Sequence, residues 1–405
     1  MKRIITCQGS IQLIAALSAM FHRDQSLHRD RSFHRDQSQS LPDQTYLVIY
    51  ELYAPERQHH QFAAFIQQMA SIYDWTAIVY LTPDQLHTIG HQLDSTPPHR
   101  IYHTVHQWIG LDHADELYLC RNWQFTNQLL IDAYSSAYRV CYGDGIGLYF
   151  SEHSAVVRRP FTPPPTSDQL VDWTKWKARS FWHRIRERLK LKTKLYSLPF
   201  DVGYFVLPEI LGETPPMPIV QLESSNLFEL FERFTSLIDL NQITGVQTAI
   251  EHSPVSILLT SNFSEGDRLS QSQEIEAYQS FLRSQEILPN SVLVIKPHPR
   301  DDLNKIYRLK EILSHLYREI IILTDPNLFF LPFEIFFLKA FHQNSKSSHV
   351  RVFAVSSAFI SLKLLFNVSS FIGFGIEITT RYFAPEFVAA RLEHEQTLQK
   401  AIEQL

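Results

Sequence analysis

The sequence predicts an α/β protein made of two doubly wound, Rossmann-like domains, each a parallel sheet with helices on both faces. Three observations point there. The chain has 405 residues, more than one hydrophobic core usually serves, so two domains are the natural division. Short apolar runs alternate with helical patterns in two separate stretches, before residue 150 and after residue 251, as parallel sheets with crossover helices require. The composition is 44% hydrophobic and 20% charged, that of an ordinary globular protein.

The first stretch opens with "MKRIITCQGSIQLIAALSAM". Lys2 and Arg3 ahead of an apolar run resemble a short signal peptide. Gln8, Gly9, Ser10 and Gln12 interrupt the apolar core that export requires, which favours a strand from Arg3 to Cys7, a turn at Gln8-Gly9-Ser10 and a helix from Ile11. Residues 21–38 are one hexad written three times, FHRDQS, LHRDRS and FHRDQS. So polar a unit cannot bury a face, and a solvated insert is expected there. Nothing fixes the geometry of His22, His28 and His34 for a metal.

Beyond the insert, 45–53 reads as a strand and 59–73 as a helix with apolar positions at 62, 65, 66, 69 and 72. Strands are expected over 76–81 and 115–120, with a helix after Arg121-Asn122. A further apolar run then enters Gly143-Asp144-Gly145. Cys7, Cys120 and Cys141 have neither metal spacing nor a disulfide framework and read as buried free thiols. Over 157–220 the alternation fails. A proline-rich segment leads into 173–194, which holds nine Lys or Arg against one Glu, with Trp182, Ile185 and Leu189 at helical spacing. That segment is either a solvated basic helix or one that lies on an anionic membrane surface.

The pattern restarts after 251. Strands are expected over 254–260, 291–300 and 318–325, then in "HVRVFAV" and "VSSFIGFG"; helices are expected in "QEIEAYQSFLRSQ", from near Pro332 and Glu334, and after Ser356-Ser357. The expected domains are 1–250, including the insert and the irregular 157–220 segment, and 251–385, followed by a C-terminal helix over 386–405. Two such domains facing across a cleft describe the GT-B architecture of glycosyltransferases. The net charge of −5 argues against nucleic acid as a partner, and no apolar run is long enough to span a membrane.

Ligands of such sheets bind beyond the carboxyl ends of the strands. On the first domain this edge carries Gln8, Gly9, Arg121, Asn122, Gly143, Asp144 and Gly145. Asp144 is the only charge in its glycine-rich turn, so it is either a turn cap or a base. On the second domain the edge carries Ser261, Asn262, Lys296, His298, Pro299, Ser356 and Ser357. Two prolines set the direction of His298, whose ring can donate to a phosphate or protonate a leaving oxygen. Lys296 adds a positive charge. Ser356-Ser357 at a strand-to-helix junction offers hydroxyls and amides to an anion. Glu334 is either a first-turn acid favoured by the helix dipole or a contact for ribose hydroxyls. The set suits displacement of a phosphate leaving group by a hydroxyl. No Asp-x-Asp pair occurs, so the usual acidic ligand pair for a metal–diphosphate complex is missing and no metal is expected.

The motifs "YGDG", "KPHP" and the paired serines of "VSSA", with "CQGSIQL" and "LLTSNFSEGDRLS", resemble in order and rough spacing the bacterial polysialyltransferases and their lipooligosaccharide sialyltransferase relatives. The resemblance covers most of the chain outside the insert. It implies a GT-B enzyme that performs metal-independent, inverting transfer from CMP-sialic acid to a glycan hydroxyl, with no cofactor. It gives Asp144 the role of base and His298 that of acid or phosphate stabiliser. Ser356 and Ser357 bind phosphate, Ser261, Asn262, Lys296 and Pro299 lie on the donor side, and Glu334 contacts the nucleoside. Gly143 stands where the family carries the first acid of an acidic pair. A CMP-Kdo transferase and an inactive glycan-binding pair of domains remain open as other readings. The expected location is the cytoplasm, with peripheral contact to the inner membrane face through 173–194.

Overall fold

In the computed structural model, the described residues are 1–31, 43–52, 58–121, 123–143, 198–210, 217–237, 239–250, 253–341 and 350–405, with isolated positions between 178 and 195. The elements of the first half are β1 (Lys2–Cys7), α1 (Ser10–Arg31), β2 (Gln44–Ile49), α2 (His59–Ala70), β3 (Ala77–Tyr80), α3 (Pro83–Gln92), α4 (Pro98–Ile109), β4 (Glu116–Leu119), α5 (Phe125–Ala133), β5 (Tyr138–Cys141), β6 (Val202–Phe205) and β7 (Ile219–Gln221). Then follow α6 (Ser224–Phe234), α7 (Leu240–Ile250), β8 (Val255–Leu259), α8 (Gln271–Arg283), β9 (Val292–Lys296), α9 (Leu303–Leu313), β10 (Glu319–Ile322), α10 (Pro326–Phe329), α11 (Phe333–Ala340), β11 (Val350–Ala354), α12 (Ala358–Phe366), β12 (Ser369–Ile372), α13 (Gly375–Tyr382) and α14 (Pro385–Glu403).

The strands form two sheets, ordered β3-β2-β1-β4-β5-β6-β7 and β10-β9-β8-β11-β12. Every neighbouring pair is parallel. Parallel strands covered on both faces are apolar along their whole length rather than alternating; β8 (VSILL) and β9 (VLVIK) are buried at every position. The expected pair of doubly wound α/β sheets is present. Each sheet reverses its winding once, between β1 and β4 and between β8 and β11. Those are the places where the strand ends part to leave a crevice.

Two expectations need correction. The 157–220 segment is not wholly irregular, because β6 and β7 extend the first sheet. They escape notice because they are four and three residues long, and prolines flank both. The hexads are not a solvated insert from their start, because α1 runs through the first of them. The reason is electrostatic. Arg3 and Glu116 are both buried at the amino ends of β1 and β4, and unpaired buried charges are costly. Arg3 Nη1 donates to Asp24 at 3.0 Å and Arg3 Nε to Glu116 at 3.2 Å. Arg23 Nε donates to the other Glu116 oxygen at 2.7 Å, and its guanidinium lies 4.7 Å from the centre of the Tyr138 ring. A polar repeat thus packs two residues of its first unit, half-buried, against charges already inside. The third hexad lies outside the described residues.

The chain divides into two compact units. The first is Met1–Leu52, Tyr73–Pro208 and Glu213–Gln221; the second is Tyr53–Ile72, Glu209–Gly212 and Leu222–Leu405. The transition therefore falls near residue 222 rather than 251, because α6 and α7 pack with the second unit: α6 meets α11 and α12, and the rings of Phe228 and Phe366 are 6.0 Å apart. In the same unit Phe62 of α2 stacks on Phe330 with centroids 4.6 Å apart.

Candidate functional site

The register of the second sheet aligns Leu259 with Lys296 and Ala354, and Ala354 with Ile372. The residues that follow these four therefore leave the sheet along one edge. Ser261 and Asn262, His298 and Pro299, and Ser356 and Ser357 all fall there, with β8 and β11 on the two sides of the crevice. Six of the sequence-predicted donor residues thus share one sheet edge.

Ser356 and Ser357 are half-buried. Ser357 sits at the N-cap of α12 yet makes no side-chain capping bond. A plain cap would have used that hydroxyl. Among the described residues neither serine hydroxyl is engaged by the protein, and both remain available to a ligand at the amino end of a nine-residue helix.

His298 is held by its main chain. Its N–H is shared between Thr260 Oγ1 at 3.1 Å and Asp301 Oδ2 at 2.7 Å. Its Nδ1 accepts the Arg300 N–H at 3.1 Å. An accepting Nδ1 places the ring proton on Nε2. Burial, then the charges of Arg300, Lys296 and Lys305, push the imidazole down to a pKa of about 3. In the free protein His298 is therefore a neutral ring with an Nε2–H to donate.

Lys296 and Glu334 belong beneath this edge. The Lys296 ammonium is buried and donates to the carbonyl oxygens of Leu328, at 3.0 Å, and of Phe329. Burial lowers its pKa to about 7, against the pull of Glu334 and Asp301. The Glu334 carboxylate, also buried, accepts the Ser361 hydroxyl of α12, and burial raises its pKa. Lys296 thus ties α10 to β9, and Glu334 ties α11 to the helix that starts at the paired serines. The ligand-facing charge expected of Lys296 is corrected to one of support. Ser261 is also held from below, its N–H donating to the buried Tyr278 hydroxyl at 2.7 Å.

In the first unit the corresponding edge carries Gln8 and Gly9 after β1, Arg121 after β4, and Tyr142 and Gly143 after β5. Gln8 is wholly buried, its amide between Glu51 Oε2 at 3.3 Å and the Cys120 thiol at 3.2 Å. Its expected contact with a sugar is corrected to an internal one. Arg121 extends its guanidinium over Trp123, 5.2 Å from the ring centre. Gly143 is buried with φ of 75°, the left-handed region that only glycine enters cheaply. Asn122, Asp144 and Gly145 lie outside the described residues. The three cysteines are free and buried as expected.

Glu51 is a residue the sequence reading missed. The strand read to residue 53 ends at Ile49, so Glu51 falls at the ligand edge rather than inside a strand. It has φ of 43° and accepts the Thr126 hydroxyl from the first turn of α5. Burial raises its pKa, with Arg121 opposing. The signal was the one used for Asp144, an acid just after an apolar run, obscured here by two further apolar residues.

Each of the two α/β units carries polar residues at the carboxyl edge of a parallel sheet, and on the second unit that edge holds the paired serines and His298. The chain belongs to the alpha-2,8-polysialyltransferase family, which matches residues 36–373, and is a sialyltransferase-type glycosyltransferase. No curated protein matches it. Among solved structures, a protein described as a UDP-N-acetylglucosamine 2-epimerase from Listeria monocytogenes is 11% identical, with a TM-score of 0.44 over 99% of this chain and 90% of that one.

Proposed function

We propose that the protein transfers sialic acid from a CMP-activated donor to a hydroxyl of a glycan acceptor, with inversion and without a metal, in the synthesis of a surface polysaccharide or lipooligosaccharide. The observation that carries this reading is the pair of unengaged hydroxyls at Ser356 and Ser357, on the same sheet edge as the His298 ring. Together with the amides at the start of α12 they form a cradle for a single phosphate.

In this reading Asp144 takes the proton of the attacking hydroxyl as the new bond forms at the anomeric carbon. The bond from that carbon to the phosphate oxygen breaks on the opposite face, and CMP leaves with the electron pair. His298 stabilises the departing charge by donating from Nε2. A neutral ring with a pKa near 3 supports the role of hydrogen-bond clamp over that of imidazolium acid. The Lys305 ammonium stands among the carboxylates of Asp301, Glu274 and Glu265 at 2.8, 2.9 and 3.0 Å. The one carboxylate cluster with ligand-like spacing among the described residues already has its cation.

Asp144→Asn tests the assignment, since it keeps size and removes basicity. Transfer is expected to fall by about two to four orders of magnitude, the usual range for a general base. CMP affinity, measured by isothermal titration, is expected to hold. Near-normal transfer by the variant would exclude Asp144 as the base. Donor hydrolysis across a panel of nucleotide sugars separates CMP-sialic acid from CMP-Kdo, and an inert protein would hydrolyse none of them.

A further inference from the structure

We infer that Asp301, with Thr260, is a positioning residue for the donor phosphate: a buried ion cluster holds the main chain of His298 in place, and CMP affinity depends on it. The inference rests on His298 being the phosphate clamp.

Three of the four members of the cluster, Asp301, Lys305 and Glu274, are buried, and Glu265 is exposed. Asp301 and Lys305, one turn apart, are 3% and 1% exposed. Lys305 reaches Glu274 of α8, which is wholly buried, and Glu265 of the loop after β8. It also donates to the carbonyl oxygen of Ser261 at 3.4 Å. Asp301 spends one oxygen on Lys305 and the other on two donors, the His298 N–H and the Thr260 hydroxyl. Glu265 accepts the Asp302 N–H at 2.9 Å. One ammonium therefore joins the loop after β8, the loop after β9 and the first turn of α9.

Stability alone gives a weak reason for this arrangement. Desolvating four charges consumes most of what their attraction returns, and apolar replacements of the same volume often serve a fold as well. The cluster does what an apolar core cannot: it supplies a fixed acceptor to one particular N–H. Prolines on both sides of His298 leave its N–H as the only main-chain donor between residues 297 and 299. Anchoring that single group sets where the imidazole stands relative to Ser356 and Ser357. Hydrogen-bonding groups held in place before the ligand arrives contribute more than groups that must be ordered on binding.

A double-mutant cycle on CMP affinity decides the matter. Kd is measured by isothermal titration for wild type, His298→Ala, Asp301→Ala and the double variant, each below its own melting temperature. Asp301→Ala is expected to weaken CMP by about tenfold and to cause no further loss once His298 is alanine. Full additivity, or unchanged affinity in Asp301→Ala beside a clear loss in His298→Ala, would overturn the positioning role while leaving the clamp intact. Unchanged affinity in His298→Ala would instead remove the clamp reading, and the inference with it. If Asp301→Ala does not fold, Thr260→Val takes its place in the cycle, since it removes the second acceptor of the same N–H and leaves every cluster charge in place. Asp301→Asn, which keeps an acceptor oxygen, is expected to retain most of the affinity.

Discussion

Gly143 is where residue and family pattern part company, and its backbone supplies the reason. At φ of 75° an L side chain clashes with its own main chain, at a cost of roughly 1 kcal/mol. An acid here would be strained whatever it did for an acceptor. Gly143→Glu, which restores the family's acidic pair, is therefore expected to lower the melting temperature by about 2–4 °C and to bring no gain in transfer. A variant with higher turnover and an unchanged melting temperature would show that the glycine is a lost acid rather than a backbone requirement. Residues of this kind were only partly legible. The place of Ser356, Ser357 and His298 on the sheet edge was legible, since each follows an apolar run. Lys296 and Gln8 sit at the same kind of position, but their long side chains fold back into the unit. A strand-end rule locates a Cα and is silent about where a flexible chain points. Asp301 and Lys305 gave no signal at all, because charges that close a buried cluster look in sequence like any exposed pair four residues apart.

At the scale of elements, the long apolar strands were legible because burial on both faces leaves them no polar alternation to confuse. The short strands β6 and β7 at the end of the first sheet were not, since four residues around a glycine and three after a proline carry almost no periodic signal. The continuation of α1 through the first hexad was illegible for another reason. Its contacts are ionic and long-range, from Arg23 and Asp24 to residues at the far amino ends of β1 and β4. Polarity by itself would permit the deletion of 21–38; the ion pairs predict otherwise. Arg23→Ala removes one of the two guanidiniums on the buried Glu116 carboxylate and also a contact with the Tyr204 hydroxyl at 3.3 Å. A loss of about 1–3 kcal/mol is expected, with CMP affinity unchanged if the phosphate site proposed on the second unit is correct. Urea denaturation measures the loss. A midpoint indistinguishable from wild type would show that the cluster closes without Arg23.

At the scale of the whole molecule, the distribution of charge matters more than its sum. The chain carries −5 overall, yet 173–194 holds nine cations and one acid. Within that segment Phe181, Trp182 and Leu189 are 62%, 63% and 63% exposed, large apolar groups that gain nothing from water. Among the described residues no helix is long and apolar enough to cross a membrane. Basic residues interspersed with exposed aromatics suit a solvated helix or one that rests on an anionic lipid surface; we propose the second, and vesicle binding tests it. Each Lys or Arg at such a surface contributes roughly 1 kcal/mol. Replacing Arg184, Arg186, Arg188 and Lys190 by Gln is therefore expected to weaken binding to anionic vesicles by about three orders of magnitude. Raising the salt should mimic the substitutions, because surface attraction is screened within a Debye length. Trp182→Ala should weaken binding in a way that salt does not mimic. Vesicle sedimentation at two salt concentrations reads all three effects. Binding that survives both the four substitutions and high salt would exclude an electrostatic anchor. If the substitutions leave vesicle binding intact but lower transfer to a polyanionic acceptor in free solution, the segment is a track for the acceptor and not for the membrane.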